Sequence, residues 1–448
     1  MKDPIVAIAT PFGESAIGVV RLTGRGVLEL ARRFFRTKSD IKPRYAHYGT
    51  LVDPEGEVID EGVLIYYRAP NSYTGEDMVE ISLHGNPLIL RKTLELFLKA
   101  GCRLAQPGEF TKRAFLNGKM DLTQAEAVAE LISAKTELAR KMALRQLKGE
   151  LSRYIEPLRE SLLELCAYIE ADIEFSEEDI PTLTREQVLE LVDRVLKGIE
   201  ELLRTAGVGR LVREGIKLAI VGKPNVGKSS LFNALLKEDR AIVTDIEGTT
   251  RDYIEESINL RGIPVRLIDT AGIRSTRDPV ERIGVERSLT KIKEADIVLF
   301  VVDASRKLTE EDRRIYEQVR GRNLIVVLNK IDLGEKLPLE IFEGQSIIKV
   351  SALTGHGLEN LEEEILRKVG ATIPEGLNIY VSVRHEELLR KSKEVLESFR
   401  DRYNREEMSP EIAMLDIREA ADYLGEIVGH ITTEDVLGNI FAKFCIGK

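Results

Sequence analysis

The sequence predicts a multidomain chain of α+β and α/β character, with a discontinuous helical domain that carries an inserted P-loop domain. Three observations predict it. The 448 residues exceed what one hydrophobic core supports. The hydrophobic period turns helical near residue 119 and again past Pro374. Between those stretches, buried strands alternate with helices, the pattern of a mainly parallel sheet. The division that follows is an α+β domain over 1–118, a first helical half over 119–210, the inserted domain over 211–372 and a second helical half over 373–448. Insertion at a surface loop is tolerated because domain termini lie close together.

In the first domain, β-type runs at Ile5–Ala9, Gly18–Leu22, Gly62–Tyr67 and Met78–Leu83 are set off by Pro and Gly. Helical stretches near 26–36 and 87–100 interrupt them. Thr123 and Glu126 then have capping-box spacing, and an apolar stripe runs from Leu122 through Val128, Ile132, Ala139 and Leu147 to Leu151. A second stripe runs from Ile155 to Ile173, and a third from Val188 to Leu203 behind a Thr184/Gln187 box. Three more follow in the C-terminal stretch, Leu388–Phe399, Ile412–Leu424 and Val436–Phe444. An amphipathic helix cannot bury its own stripe, so these helices pack on one another or on neighbouring domains. The acidic stretch 170–179 reads as a solvated helix end and loop.

Composition narrows the class. With 43% hydrophobic and 31% charged residues the chain folds rather than remaining disordered. A net charge of -10 excludes a global basic field for nucleic acid, so any RNA contact comes from a local patch or a partner. Cys102, Cys166 and Cys445 form no CxxC, which excludes a disulfide framework and a thiolate zinc site. The N-terminus does not read as a signal peptide and no apolar run reaches membrane-span length, so a cytoplasmic protein with no membrane partner is expected.

The inserted domain carries the chemistry. The strand 216–221 runs into Gly222, Lys223, Pro224, Asn225, Val226, Gly227, Lys228 and Ser229, the GxxxxGK[ST] phosphate loop in its strand–loop–helix setting. Its backbone N–H groups, with Ser230 at the helix start, are expected to wrap the phosphates of a nucleotide. Lys228 would lie between the β- and γ-phosphates, serving binding and catalysis alike, and the Ser229 hydroxyl would bind Mg²⁺. The strand 263–268 ends in Asp269, Thr270, Ala271 and Gly272, placing a carboxylate for the magnesium shell and a glycine for the γ-phosphate. The strand 323–328 ends in Asn329, Lys330, Ile331 and Asp332. The Asp332 carboxylate can accept from both N–H groups on guanine's N1/N2 edge, a donor pair that adenine lacks. Ser351, Ala352 and Leu353 would donate backbone N–H to guanine O6. Four such elements in order, each after a strand, predict a Ras-like GTP-hydrolysing domain.

Its catalytic apparatus departs from the commonest pattern. Ile273 follows Gly272 where many GTPases place a water-orienting Gln. Glu281 and an arginine finger at Arg274 are the candidates to replace it. Residues Gly248 to Asp252 form the switch segment, with Thr250 as a second magnesium hydroxyl. The Asn225 amide oxygen, with switch-loop carbonyls, offers a neutral oxygen cage suited to K⁺.

At this point the chain resembles the MnmE (TrmE) family of tRNA-modification GTPases from end to end. The carriers are Ala9, Thr10 and Pro11 leading to Arg21; Pro70–Asp77; Pro107–Thr111; Arg113–Lys119; the GTPase set with Gly248–Asp252; and Phe444–Lys448. The resemblance implies a homodimer joined through N-terminal domains. It also implies an FAD-containing partner, MnmG (GidA), and addition of an aminomethyl or carboxymethylaminomethyl group to C5 of the wobble uridine of certain tRNAs. It implies that Asn225, Thr244, Ile246 and Thr249 ligate K⁺ beside GTP, that the ion replaces the arginine finger, and that Glu281 positions water. The one-carbon unit would come from a tetrahydrofolate derivative, 5-formyl- or 5,10-methylene-tetrahydrofolate, bound by the N-terminal domain. Glu80 suits the pterin's N–H/NH₂ edge, while Arg21, Lys119 and Lys448 suit the anionic glutamyl tail; the alternative is that all four are ordinary surface charges. Cys445 is either a nucleophilic or redox residue or a structural one. Two rival readings are a ribosome-assembly GTPase acting as an RNA-binding switch, and a folate-dependent transferase for which GTP is only regulatory. No GxxG RNA-binding module is evident in the sequence to support the first.

Overall fold

The structure is a computed structural model describing residues 3–174, 183–238, 257–268, 293–337, 339–371, 379 and 381–448. The chain forms two compact units, one of Met1–Ile132, Gln146–Thr184 and Ser398–Lys448, the other of Ser133–Arg145 and Arg185–Glu397.

The first unit is built on a seven-stranded sheet. Its strands are β1 (Ile5–Ile8), β2 (Ser15–Thr23), β3 (Phe35–Thr37), β4 (Ala46–Val52), β5 (Val58–Tyr67), β6 (Met78–Gly85) and β7 (Arg103–Leu104), ordered β3-β4-β5-β6-β2-β1-β7. All pairs are antiparallel except β1 with β7. Alternation sends Val20, Leu22, Val79 and Ile81 to a core face shared with Leu90 and Phe97 of the Pro87–Lys99 helix. Gly18 allows that helix close: a Cβ there would lie 2.5 Å from Leu90 Cδ1. Arg21 and Glu80 are register partners on the opposite face.

The Glu109–Leu116 helix buries a cation, Arg113, at 1% exposure. Arg113 is held by Glu109, Glu76 and Asp3 at 3.0, 3.0 and 3.2 Å, the pairing that a buried charge requires. Burial raises the Glu109 carboxyl, but Arg103 and Arg113 outweigh it and hold the group below its ordinary range.

The helices Glu150–Glu174 and Pro410–Val428 pack lengthwise against each other. Leu122, Ala125 and Val128 share a core with Leu437, Ile440, Phe441 and Phe444. The first helical stripe, expected to be continuous from Leu122 to Leu151, is three helices: Leu122–Ser133, Glu137–Leu147 and the start of Glu150–Glu174. Thr136 opens the second, its hydroxyl accepting from the Ala139 N–H, and Gly149 at φ 78 separates the second from the third. The expected Thr123/Glu126 box is not where the first helix starts. Asp121 caps it, accepting from the Gln124 N–H at 2.9 Å, while Thr123 lies inside the helix and donates to the same oxygen. The acidic run ends the third helix at Glu174, and its remainder lies outside the described residues.

The second unit holds a six-stranded sheet ordered β13-β12-β11-β8-β10-β9. The strands are β8 (Ile216–Val221), β9 (Ser257–Leu260), β10 (Ile263–Ile268), β11 (Ile297–Asp303), β12 (Leu324–Asn329) and β13 (Ser346–Lys349), parallel except β9 with β10. Apolar clusters cover both faces, which is why β11 and β12 are apolar up to their final Asp303 and Asn329, and β8 is apolar apart from the exposed Lys217. The Arg185–Glu214 helix contributes Val208 and Val212 to one cluster, and Leu138 of the Glu137–Leu147 helix packs against it. The Thr136 hydroxyl donates to Gly262 O at 2.7 Å, and a Cβ on Gly262 would lie 2.7 Å from Leu138 Cβ, so that helix sits directly on the β9–β10 turn. In this topology, loops at the carboxyl ends of the strands form the binding crevice. Among the described residues, no helix is long and apolar enough to cross a membrane.

Candidate nucleotide site and N-terminal cleft

The phosphate loop leaves the end of β8 and is shaped by three positive-φ residues, Gly222 (151°), Asn225 (66°) and Gly227 (96°). Both glycines are imposed by close approaches. A Cβ on Gly222 would lie 2.3 Å from Val301 O, and one on Gly227 would lie 2.3 Å from Asn329 Nδ2. Val226 is buried in the core and pins the loop from below, while Ser229 and Ser230 are exposed in the first turn of the Lys228–Glu238 helix. Lys228 Nζ donates to the carbonyls of Gly222 at 2.7 Å and Lys223 at 2.9 Å.

The loop after β12 is tied to this cradle. Asn329 Nδ2 donates to Val226 O at 2.9 Å, and its Oδ1 accepts from the Ala352 N–H at 3.1 Å. Both ends of that amide therefore join loops. Lys330, at φ 64, donates to Asn225 O at 2.7 Å and to Asp303 Oδ2 at 2.9 Å. Burial raises the Asp303 carboxyl, but hydrogen bonds from Ser305 and Lys330 outweigh it and leave the group lowered. Asp332 is exposed, and one of its oxygens accepts from the buried Ser351 hydroxyl at 2.5 Å. Leu353 is 86% exposed, on the loop that follows.

The structure thus brings Gly222, Asn225, Val226, Gly227, Lys228, Asn329, Lys330, Asp332, Ser351 and Ala352 into one connected set. Thr244, Ile246, Thr249, Thr250, Asp269, Thr270, Ala271, Gly272, Ile273, Arg274 and Glu281 lie outside the described residues. Three participants were not read from the sequence. Asp303 had a signal, as a carboxylate ending an apolar strand; Thr309 and Asp312, which accept from Lys223 Nζ, had one in their capping spacing.

In the first unit, Arg21, Glu80, Lys119 and Lys448 line a single cleft of about 420 Å³, although the sequence separates them widely. Arg44, Tyr67, Asn71, Ser72, Tyr73 and Met78 complete its wall. Arg21 bridges the cleft: Nη2 lies 2.7 Å from Glu80 Oε1, and Nη1 donates to Gly447 O at 2.9 Å. Tyr67 donates to the other Glu80 oxygen at 3.3 Å. Both oxygens of Glu80 are therefore already partnered. Burial, together with neighbouring Arg21, lowers the Lys448 amine below its ordinary value; its Nζ lies 5.9 Å from the Tyr73 ring centroid. The Phe444–Lys448 tail is seated by backbone contacts. Phe110 N–H donates to Lys448 O at 3.2 Å, and a Cβ on Gly447 would lie 2.6 Å from Ile8 O. Cys445 is exposed and free, does not line the cleft, and accepts through its carbonyl from Gly108 and Lys448 N–H groups.

A parallel sheet with a phosphate loop after β8 and an Asn-Lys-x-Asp loop after β12 defines a P-loop, Ras-like GTPase domain, here carried within a chain that also has an N-terminal α+β module. Family models agree on the rest: residues 4–119 match the GTP-binding protein TrmE N-terminus, and residues 122–445 match the MnmE helical domain. The tRNA modification GTPase MnmE of Aquifex aeolicus is 70% identical over 448 residues, covering all of both chains. That of Thermotoga maritima is 48% identical over 453 residues, again covering all of both. Among solved structures, Era of Aquifex aeolicus bound to GDP and AlF4⁻ is 30% identical, covering 40% of this chain and 66% of that one at a TM-score of 0.29. The chain belongs to the MnmE family of tRNA-modification GTPases.

Proposed function

We propose that this GTPase works with an FAD-containing partner to add an aminomethyl or carboxymethylaminomethyl group to C5 of the wobble uridine of certain tRNAs. The observation that supports the one-carbon half is the gathering of Arg21, Glu80, Lys119 and Lys448 in one cleft. Its chemistry fits a folate: Arg21, Arg44, Lys119 and Lys448 face a single carboxylate, Glu80, beside the Tyr73 ring. The tetrahydrofolate derivative supplies the one-carbon unit when bound. Glu80 accepts from the pterin's N–H edge while Arg21 holds that carboxylate in place, and Lys119 and Lys448 take the anionic tail.

In the GTPase domain, Asp332 reads guanine and the phosphate-loop backbone and Lys228 hold the phosphates. Asn329 and Lys330 act on the nucleotide by fixing the two loops relative to each other. Ser229 and Thr250 hold Mg²⁺. Asn225, Thr244, Ile246 and Thr249 hold K⁺, and Glu281 positions water. The exposed apolar side chains Phe12, Ile17, Tyr45 and Tyr48 of the N-terminal domain support a homodimer joined there. A cytoplasmic location follows from the substrate.

The test is nucleoside analysis of tRNA from a strain lacking the protein. The C5-modified wobble uridine is expected to disappear and to return when this chain is expressed. Unchanged uridine modification with accumulating ribosomal precursors would replace this reading with the ribosome-assembly one.

A further inference from the structure

We propose that the ion pair between Lys223 and Asp312 braces the phosphate loop, making both of them positioning residues for nucleotide retention. Lys223 is the second residue of the loop, and its Nζ lies 2.6 Å from Asp312 Oδ2 and 3.4 Å from Thr309 Oγ1. The side chains are 17% and 2% exposed, so water does little to screen the pair.

Asp312 lies in the first turn of the Glu310–Val319 helix and completes a capping box with Thr309. The same oxygen that binds Lys223 accepts from the Thr309 N–H at 2.8 Å and from its hydroxyl at 2.7 Å. The other oxygen, Oδ1, is buried with no hydrogen-bond partner among the described residues. A cap alone works as well at the surface and leaves no bare oxygen. Burial of this carboxylate makes sense once an ammonium is opposite it, since an unpaired buried charge is strongly destabilising.

The brace reaches the phosphate-binding lysine through one residue. Lys223's side chain is clamped to the helix while its carbonyl accepts from Lys228 Nζ. Two residues further on, the loop is gripped again, by Lys330 on Asn225 O with Asp303 behind it. Both aspartates lie on one stretch, the end of β11 and the helix start that follows. Residues 303–312 thus anchor the loop on either side of Pro224. Pre-organisation of this kind favours bound nucleotide by removing the cost of ordering the loop at binding.

The inference rests on the nucleotide-site reading, and the experiment separates the two. Release of a fluorescent GDP is measured by stopped flow from the full-length chain carrying Lys223→Met, Asp312→Asn, both together, or Lys223→Arg, with melting temperatures alongside. Each single neutral variant is expected to speed release about tenfold, and the double variant no more than either single, because contacting residues couple non-additively. Lys223→Arg, which keeps the charge, is expected to stay within about threefold of the unmodified chain. Additive effects, unchanged release, or rates that track melting temperature with no rescue by arginine would overturn the brace alone. Failure of the unmodified chain to bind GDP would overturn the site and the brace together.

Discussion

A carboxylate can select a base only if it is held in place and keeps acceptor capacity for the ligand. Asp332 meets both conditions, since the Ser351 hydroxyl fixes one oxygen and the group stays exposed. Asn329, next to it in the motif, spends both ends of its amide on neighbouring loops. Asp332→Asn turns half of the acceptor into a donor, which opposes guanine's N1/N2 donors but matches the N1–H and C2 oxygen of xanthine. Competition titrations with the variant should show GTP binding weakened by about 10²–10³-fold, with xanthosine triphosphate gaining. Retention of GTP affinity within about threefold would mean that another group reads the base. Asp332 was legible in the sequence because a strand, a turn and a fixed spacing carry it. Lys223 and Asp312 were not, because their pairing depends on how the phosphate loop meets the start of a separate helix.

Elements show the same division between local and tertiary signals. β8 and β12 were readable because burial on both faces leaves almost only apolar side chains, the exposed Lys217 of β8 excepted. β4, with His47 and Gly49 inside it, owes its place to pairing with β3 and β5 rather than to its composition. The Glu109–Leu116 helix has no clear apolar period because its buried face carries Glu109, Thr111 and Arg113, charges and hydroxyls that periodicity counts as solvent-facing. The spacing of Thr123 and Glu126 imitates a box and places the start of the Leu122–Ser133 helix two residues late, whereas Asp121 supplies the cap. Asp121 also accepts from the Ser152 hydroxyl at 2.7 Å, joining two helices. Asp121→Ala should therefore cost about 1–2 kcal/mol locally, and Asp121→Asn much less because Asn caps as well as Asp. Hydrogen exchange across residues 122–133 should quicken roughly 5–30-fold in the alanine variant. Equal exchange in the two variants would remove Asp121 from the cap.

At the scale of the whole molecule, long-range juxtaposition was the least legible feature from residue types alone. The N-terminal cleft joins residues 21, 80, 119 and 448, and no local period places Lys448 beside Arg21; only the family pattern singled them out. The GTPase chemistry raises a different question, because Ile273 cannot orient water and some other positive or polar group has to serve. Of the residues proposed to hold K⁺, which would supply that charge, Asn225 alone lies among the described ones. Its backbone is held at φ 66 through Lys330, which leaves the neutral amide available to an ion. A fixed positive charge aimed at the transition state contributes on the order of 10²–10³ in rate, so GTP turnover in K⁺ should exceed that in Na⁺ by about 10²-fold. Glycine accepts the same φ without the amide. Asn225→Gly should therefore abolish the preference for K⁺ while GDP affinity stays within about threefold. Equal turnover of the unmodified chain in the two salts would rule out the ion. A glycine variant that keeps the preference would instead leave the ion in place and deny Asn225 its part in holding it.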